Sequence, residues 1–382
     1  MTKLLLAIAA QLIAYQAPPA PQPSDETTDK EALEFSQRLE KGILDGRPEA
    51  FDGALNMTAV VDAATRGLDL KPAERVNFRT GIGEGLAMGR KLIPATGNSY
   101  RLLGIRKVGP HQGPLFRLWS EDGLNYHLLK LKKSAGSGIR IADIYIFVTA
   151  DWMSSILRRA ALAIVADDPA RRALLAPEDA QLATAIRDLR FIQQLANREE
   201  PRKALEAFQK LPEATRKDRL VQSLRIMVAS KLGEEEYLKA EAEFRKLFPE
   251  DSSVYLMTLD GFVYRKDFAG ALKGIDSLDR SLGGDPLLDL HRGNMYASLE
   301  KYAEAKKAGQ RAAKEVPYLQ EPRWLLVTVA LKEKAHADTV RLLDELARDF
   351  KLEFENMESI QEYADFVKSA EYRDWLKSRA SK

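Results

Sequence analysis

Along residues 30–44 the apolar positions Leu33, Phe35, Leu39, Ile43 and Leu44 fall near one stripe with charges opposite, which predicts an amphipathic helix. Asp45-Gly46 ends it, because glycine enters the left-handed conformation without steric cost. Residues 48–68 predict one or two short helices. Pro72 opens a longer one over 73–92, stopped by Pro94. Its glycines, Gly81, Gly83, Gly85 and Gly89, each lower helix propensity by up to about 1 kcal/mol against alanine. Such spacing predicts a helix lying close against a sheet. From Tyr100 the period changes to two. Alternation predicts four strands, over 100–108, 115–120, 125–133 and 139–149, and the short glycine-containing loops between them predict an antiparallel meander. The fourth is apolar on both faces, with Ile141, Tyr145 and Phe147 opposing Ala142, Ile144, Ile146 and Val148. A sheet of that kind is covered twice, here by its own helices on one side and by another domain or subunit on the other.

Beyond the sheet the pattern is helical. Residues 151–165 predict one helix and 168–180 a short connector. Turns then fall at Pro201, Pro212, Gly233, Pro249, Gly283-Gly284, Pro286, Pro317 and Pro322. In the stretches KDFAGALKGIDSL and EKYAEAKKAGQRAAKEVP, Phe268 and Ala271 are matched by Tyr302 and Ala305, 34 residues on. The same phase is read at Tyr237, Ala240 and Phe244, where an offset of 31 to Phe268 implies a trimmed turn or helix. It is read again at His336, Thr339, Leu343 and Leu346. A partial unit at 203–212 follows a first helix over 180–197, so that four to five hairpins result. With this period the C-terminal half resembles the tetratricopeptide repeat family, whose helical hairpins bury their apolar faces only by stacking. Residues 357–382 carry Ile360, Tyr363, Phe366, Val367, Tyr372, Trp375 and Leu376, which predicts an amphipathic helical cap on the last repeat.

Helices followed by a curved four-stranded antiparallel sheet, with the strand pair NYHLLKLKK and IRIADIYIF, resemble the nuclear transport factor 2-like superfamily that includes SnoaL and ketosteroid isomerase. The fold class expected is therefore an α+β N-terminal cone and then an all-α tetratricopeptide-repeat solenoid. Its parts are a signal peptide or short anchor over 1–17, a proline-rich linker over 18–29 and the cone over 30–150. A helical connector over 151–178, the repeats over 179–355 and capping helices over 356–382 complete it. The start carries Lys3 and then the apolar run LLLAIAAQLIA over 4–14, as long as a signal-peptide core and short of the roughly twenty residues that span a bilayer. Export to the periplasm or beyond is expected, with membrane contact only through this segment if it stays uncleaved.

Composition narrows the chemistry. The 382 residues are 45% hydrophobic and 30% charged, ordinary for a soluble protein of two or three domains. A formal net charge of +2 gives no bulk field for nucleic acid or an anionic membrane. Lys130, Lys132, Lys133 and Arg140 cluster on one hairpin that, apart from Tyr126, lacks interleaved aromatics, so no nucleic-acid partner is expected. With no cysteine, thiolate metal sites and thiol catalysis are excluded. His291 and His336 lack companions at ligand spacing; no metal or other cofactor is expected.

The cone resemblance implies a cavity between helices and sheet that in some members binds a small apolar molecule and in others works with an Asp or His inside. Asp62, Trp119, Tyr126, His127, Asp143 and Tyr145 are the candidates, with Asp62, His127, Asp143 and Tyr145 the set for isomerase- or dehydratase-like acid–base work. Tyr126 and His127 are adjacent in a strand, so at most one lines such a cavity. The repeat resemblance implies a concave face, formed by the first helix of each hairpin, that holds a protein or peptide. On this chain it includes Arg225, Leu256, Asp260, Leu290, Asn294, Trp324 and Thr328. Leu290 stands where the carboxylate-gripping version of the family has lysine. The leading expectation is an exported, non-enzymatic interaction scaffold, with a dimer through the second sheet face as a further possibility. The alternative is an enzyme working in the cone cavity, and a third reading is a structural spacer.

Overall fold

The computed structural model describes residues 27–93, 99–120, 123–134, 136, 138–249 and 253–380. The expected signal or anchor over 1–17, and all but the last residues of the expected linker, lie outside the described residues. The fold is α+β: a five-stranded antiparallel sheet with helices before it and a long helical part after it.

Helix α1 (Asp29–Leu44) starts where Thr28 and Glu31 satisfy each other's backbone amides, a capping box. Short helices α2 (Glu49–Asp52) and α3 (Met57–Ala64) follow, then α4 (Pro72–Leu86) and α5 (Met88–Leu92). The single helix expected over 73–92 is thus two. Gly89 and Gly81 do not serve the sheet: a Cβ on Gly89 would overlap the carbonyl of Pro48 at the start of α2, and Gly81 faces open space. The close approach is helix to helix.

The sheet runs in the order β1 (Ser99–Val108), β2 (His111–Ser120), β3 (Gly123–Ser134), β4 (Gly138–Ile146) and β5 (Asp151–Trp152), each antiparallel to the last. The meander is as expected. However, β2 begins at His111, because the turn needs only Gly109 and Pro110 and lets Val108 pair with His111. Residues 151–152, expected to open a helix, pair with Tyr145 and Ile146 as the fifth strand. At Gly113 a side chain would overlap the Leu129 carbonyl oxygen. Gly113→Ala is expected to cost about 1–3 kcal/mol by forcing that backbone aside, read as a shift of the urea midpoint at unchanged slope; an unshifted midpoint would refute the close approach.

One face of the sheet packs on the helix layer through Tyr100, Phe116, Leu129, Ile141 and Ile144 against Leu39, Ile43, Phe51 and Val60. Helix α6 (Met153–Val165) packs on α3, and α7 (Pro169–Arg172) leads away from it. The helical part then runs α8 (Pro177–Asn197), α9 (Pro201–Gln209), α10 (Glu213–Arg216), α11 (Arg219–Ser230), α12 (Glu234–Leu247), α13 (Val254–Tyr264), α14 (Phe268–Leu282), α15 (Leu288–Ser298), α16 (Tyr302–Glu315), α17 (Glu321–Lys332) and α18 (His336–Phe350).

From α11 on, each helix packs against the one before and the one after. The turns inside the pairs α8–α9, α11–α12, α13–α14, α15–α16 and α17–α18 each hold a residue of positive φ: Glu199, Gly233, Lys266, Glu300 and Lys334. These stand 34, 33, 34 and 34 residues apart. The buried positions Ala204, Tyr237, Ala271, Ala305 and Thr339 keep the same step. No helix is trimmed before Phe268. Tyr237 occupies the place of Ala271, one turn into its helix, and the residue equivalent to Phe268 is Glu234. The step also holds across the single turn α10, 34 residues from Glu199 to Gly233, because α9 is short, 9 residues against the 14 of α12. After α18 the expected helical cap is instead three 3₁₀ turns and then α19 (Ala370–Ala380), entered at Ser369, whose Oγ accepts from the Tyr372 amide. Its Trp375 and Tyr372, with Phe366 and Met357, close the end of α17 and α18.

The second sheet face is covered by this array. Leu115, Tyr126, Leu128 and Phe147 pack against Ala271, Ile275, Leu278, Leu282 and Leu288 of α14 and α15. The face that a homodimer through the sheet would use is therefore occupied by the chain's own helices.

Candidate functional site

The groups expected to perform acid–base chemistry are spread apart. Asp62 is exposed on α3 and pairs with Arg75 at 3.5 Å. His127 is buried beneath the helix layer, its Nδ1 3.3 Å from the Tyr100 hydroxyl, and burial pulls its pKa down to about 4. Asp143 is buried at the β4 edge, where its carboxylate accepts from the Ser154 hydroxyl and from the amides of Ser154 and Ile144. Burial raises its pKa and those hydrogen bonds oppose the rise. Tyr145 lies in an aromatic group with His111, Phe147 and Trp152. None of the four lines any cleft described below. The space between helices and sheet is filled by Phe51, Tyr100, Phe116 and Leu129, all fully buried, so the implied ligand cavity is packed with side chains.

The remaining pair of sheet candidates belongs to a polar clasp between sheet and array. Arg117 of β2 and Asp285, in the turn between α14 and α15, form an ion pair with side chains 4% and 0% exposed. Asp285 also accepts from the Tyr126 hydroxyl at 2.7 Å and from the Leu287 amide at 3.0 Å. The other Arg117 nitrogen donates to the Tyr318 hydroxyl at 2.6 Å, and Arg101 lies over the Tyr318 ring. Burial opposes the charge on Arg117, and Asp285 with the Tyr318 and Tyr126 hydroxyls together more than offsets it, so its pKa stands above the ordinary value. Trp119 packs near His291. With both terminal nitrogens of Arg117 and both Asp285 oxygens used inside the clasp, this network holds two layers together.

The residues expected on a concave face are divided between covered and exposed positions. Leu290 is buried against Leu287, Ala305 and Leu325. Leu256 packs beside the sheet–array core. Trp324 is covered by Phe354 of the tail, the ring centroids 6.0 Å apart. Asp260, Asn294 and Thr328 are exposed on three different helices, α13, α15 and α17. Arg225 alone lines a cleft, its guanidinium over the Phe208 ring and paired with Glu243 at 3.0 Å.

Sequence reasoning passed over the clefts around α10. One of about 450 Å³ lies between α6, α8 and α10, lined by Arg158, Arg159, Asp179, Thr215 and Asp218. Arg158 and Arg159 there are engaged by Asp179, Asp151 and Asp218. On the other side, clefts of about 510 and 710 Å³ run between α9, α11 and α12 and share Arg216, Lys239 and Glu243. The signal for them was Pro212, which follows the short α9 and opens the single turn α10. Among the described residues, no group of three His, Asp or Glu side chains is placed to hold a metal ion, and no helix is long and apolar enough to cross a membrane.

Compared with protein-family models and with curated proteins, the sequence matches none.

Proposed function

We propose that the chain is a non-enzymatic interaction scaffold, in which a cone of the nuclear transport factor 2-like kind is the rigid dock for a tetratricopeptide-like array that holds a protein or peptide partner. The observation that carries this reading is the division of surface. The sheet is buried on both faces by its own chain, whereas the array opens into clefts around α10. The recurrence of turn residues every 33 or 34 positions supports the repeat assignment. Helices ahead of a meander support the cone, and its solid interior favours a docking role over a ligand cavity. Export belongs to the same reading and rests on the apolar run over 4–14.

A photocrosslinking amino acid tests it. Placed at exposed Lys239 on α12, it is expected to trap one discrete partner from the envelope fraction or culture supernatant, while the same group at exposed Arg38 on α1 traps none. Equal adducts from both positions, or none from either, would remove the scaffold reading.

A further inference from the structure

We infer that the trough between α9, α11 and α12 binds an acidic peptide segment, and that Arg216 receives a carboxylate from it. This rests on the scaffold reading and names the chemistry of the partner. The two clefts that form the trough share Arg216, Lys239 and Glu243, so Arg216 stands where they join.

Five cations and three carboxylates line it. The carboxylates are spoken for: Glu213 by Lys217 at 2.6 Å, Glu236 by Lys239 at 2.9 Å and Glu243 by Arg225 at 3.0 Å. Arg216 and Lys246 are left over, and among the described residues neither makes an ion pair. The Arg216 Nε is shut off from water and has no hydrogen-bond partner. A guanidinium without an ion pair is completed at its two terminal nitrogens by a planar acceptor that takes two parallel N–H bonds, which a carboxylate supplies.

The residue is held for that purpose by its backbone. Its carbonyl accepts from Nε2 of Gln222 at 2.6 Å, and Gln222 is fully buried in α11. Thr215 before it is buried as well. Arg216 is the last residue of α10, the single turn that follows the shortened α9.

Apolar side chains alongside, half-buried Leu205 at one end and Leu247 at the other, suit a peptide. A nucleic acid fits less well. Phe208 is buried under Arg225 and offers no stacking face, so the aromatic platform of a single-strand binder is missing.

The test uses the full chain and a synthetic array of octapeptides of acidic, neutral and basic composition. Retained peptides are expected to be enriched in Asp or Glu beside an apolar residue, and Arg216→Glu is expected to weaken the best of them at least tenfold. Lys246→Glu, on an exposed side chain, gives a smaller loss and covers the case in which Arg216→Glu fails to fold. No acidic enrichment, or unchanged binding in both variants, overturns the inference. So does equal competition by a single-stranded oligonucleotide. If the crosslink from Lys239 persists in Arg216→Glu while the peptide array shows no acidic preference, the scaffold stands and this assignment falls.

Discussion

Asp285→Ala is expected to destabilise the protein by about 3–5 kcal/mol, because it strands the Arg117 guanidinium in the interior. The carboxylate it removes serves Arg117, the Tyr126 hydroxyl and the Leu287 amide at once. No solvent can replace it, since Arg117 is 3% and Asp285 2% exposed. Asymmetry is the point: losing one partner of a buried pair costs more than losing both. Arg117→Met combined with Asp285→Leu should therefore recover part of the loss, a coupling that a double-mutant cycle isolates. Because the clasp joins β2 and β3 to the α14–α15 turn, the single variant should also expose that turn to protease before the rest of the chain unfolds. Urea denaturation and limited proteolysis together check both halves. A loss under about 1 kcal/mol, or cutting no faster around residues 283–287, would show that apolar packing alone holds the array to the sheet.

Such a clasp was only half legible in the sequence. The need for a cover was plain from β4, whose Ile144 and Tyr145 are both hydrophobic yet point to opposite sides. What would provide the cover was not, because α14 looks like any other amphipathic repeat helix. Arg117 stands between Phe116 and Leu118 on β2 with no partner nearby in the sequence; its partner lies 168 residues away. The repeat itself was visible where an aromatic opens the second helix, at Phe268 and Tyr302, and was misphased where none does. Helix α12 begins with Glu234, Glu235 and Glu236, which favour its N-terminus electrostatically and carry no hydrophobic signal, so Tyr237 drew the alignment three residues too far. Leu290 and Trp324 were expected in a hollow because they phase with the first helices of the hairpins. Neighbouring helices and the tail cover them instead. Whether a stacked helix faces solvent or another layer depends on what lies above it, and periodicity within the helix does not encode that.

Acidification from pH 6.5 to 4 is expected to destabilise the fold through His127 and His291, by up to about 3 kcal/mol each. Burial brings both pKa values down to about 4 from an ordinary 6.5. His127 sits under the helix layer with only the Tyr100 hydroxyl beside it, and the Nε2 of His291 is shut off from water with no hydrogen-bond partner. The unfolded chain takes up these protons below pH 6.5, whereas the folded chain resists until about pH 4. Their contribution is thus fully present above pH 6.5, is lost progressively down to about pH 4, and changes little below that. Paired carboxylates act later. Glu31, held to about 2 first by the Thr28 amide and then by Lys133, loses its contribution only as the pH falls below the ordinary carboxylate range. Asp143 works in the opposite sense, since burial raises its pKa and the folded state binds its proton the more readily. It is common to the wild type and the variants, so it cancels in the comparison. His127→Asn with His291→Asn should start from lower stability at pH 7.5, having lost packing, yet show a flatter slope of unfolding free energy between pH 6.5 and 4.5. An equal slope in wild type and double variant would mean that the folded state takes up these protons as freely as the unfolded chain, and that the two rings are open to water.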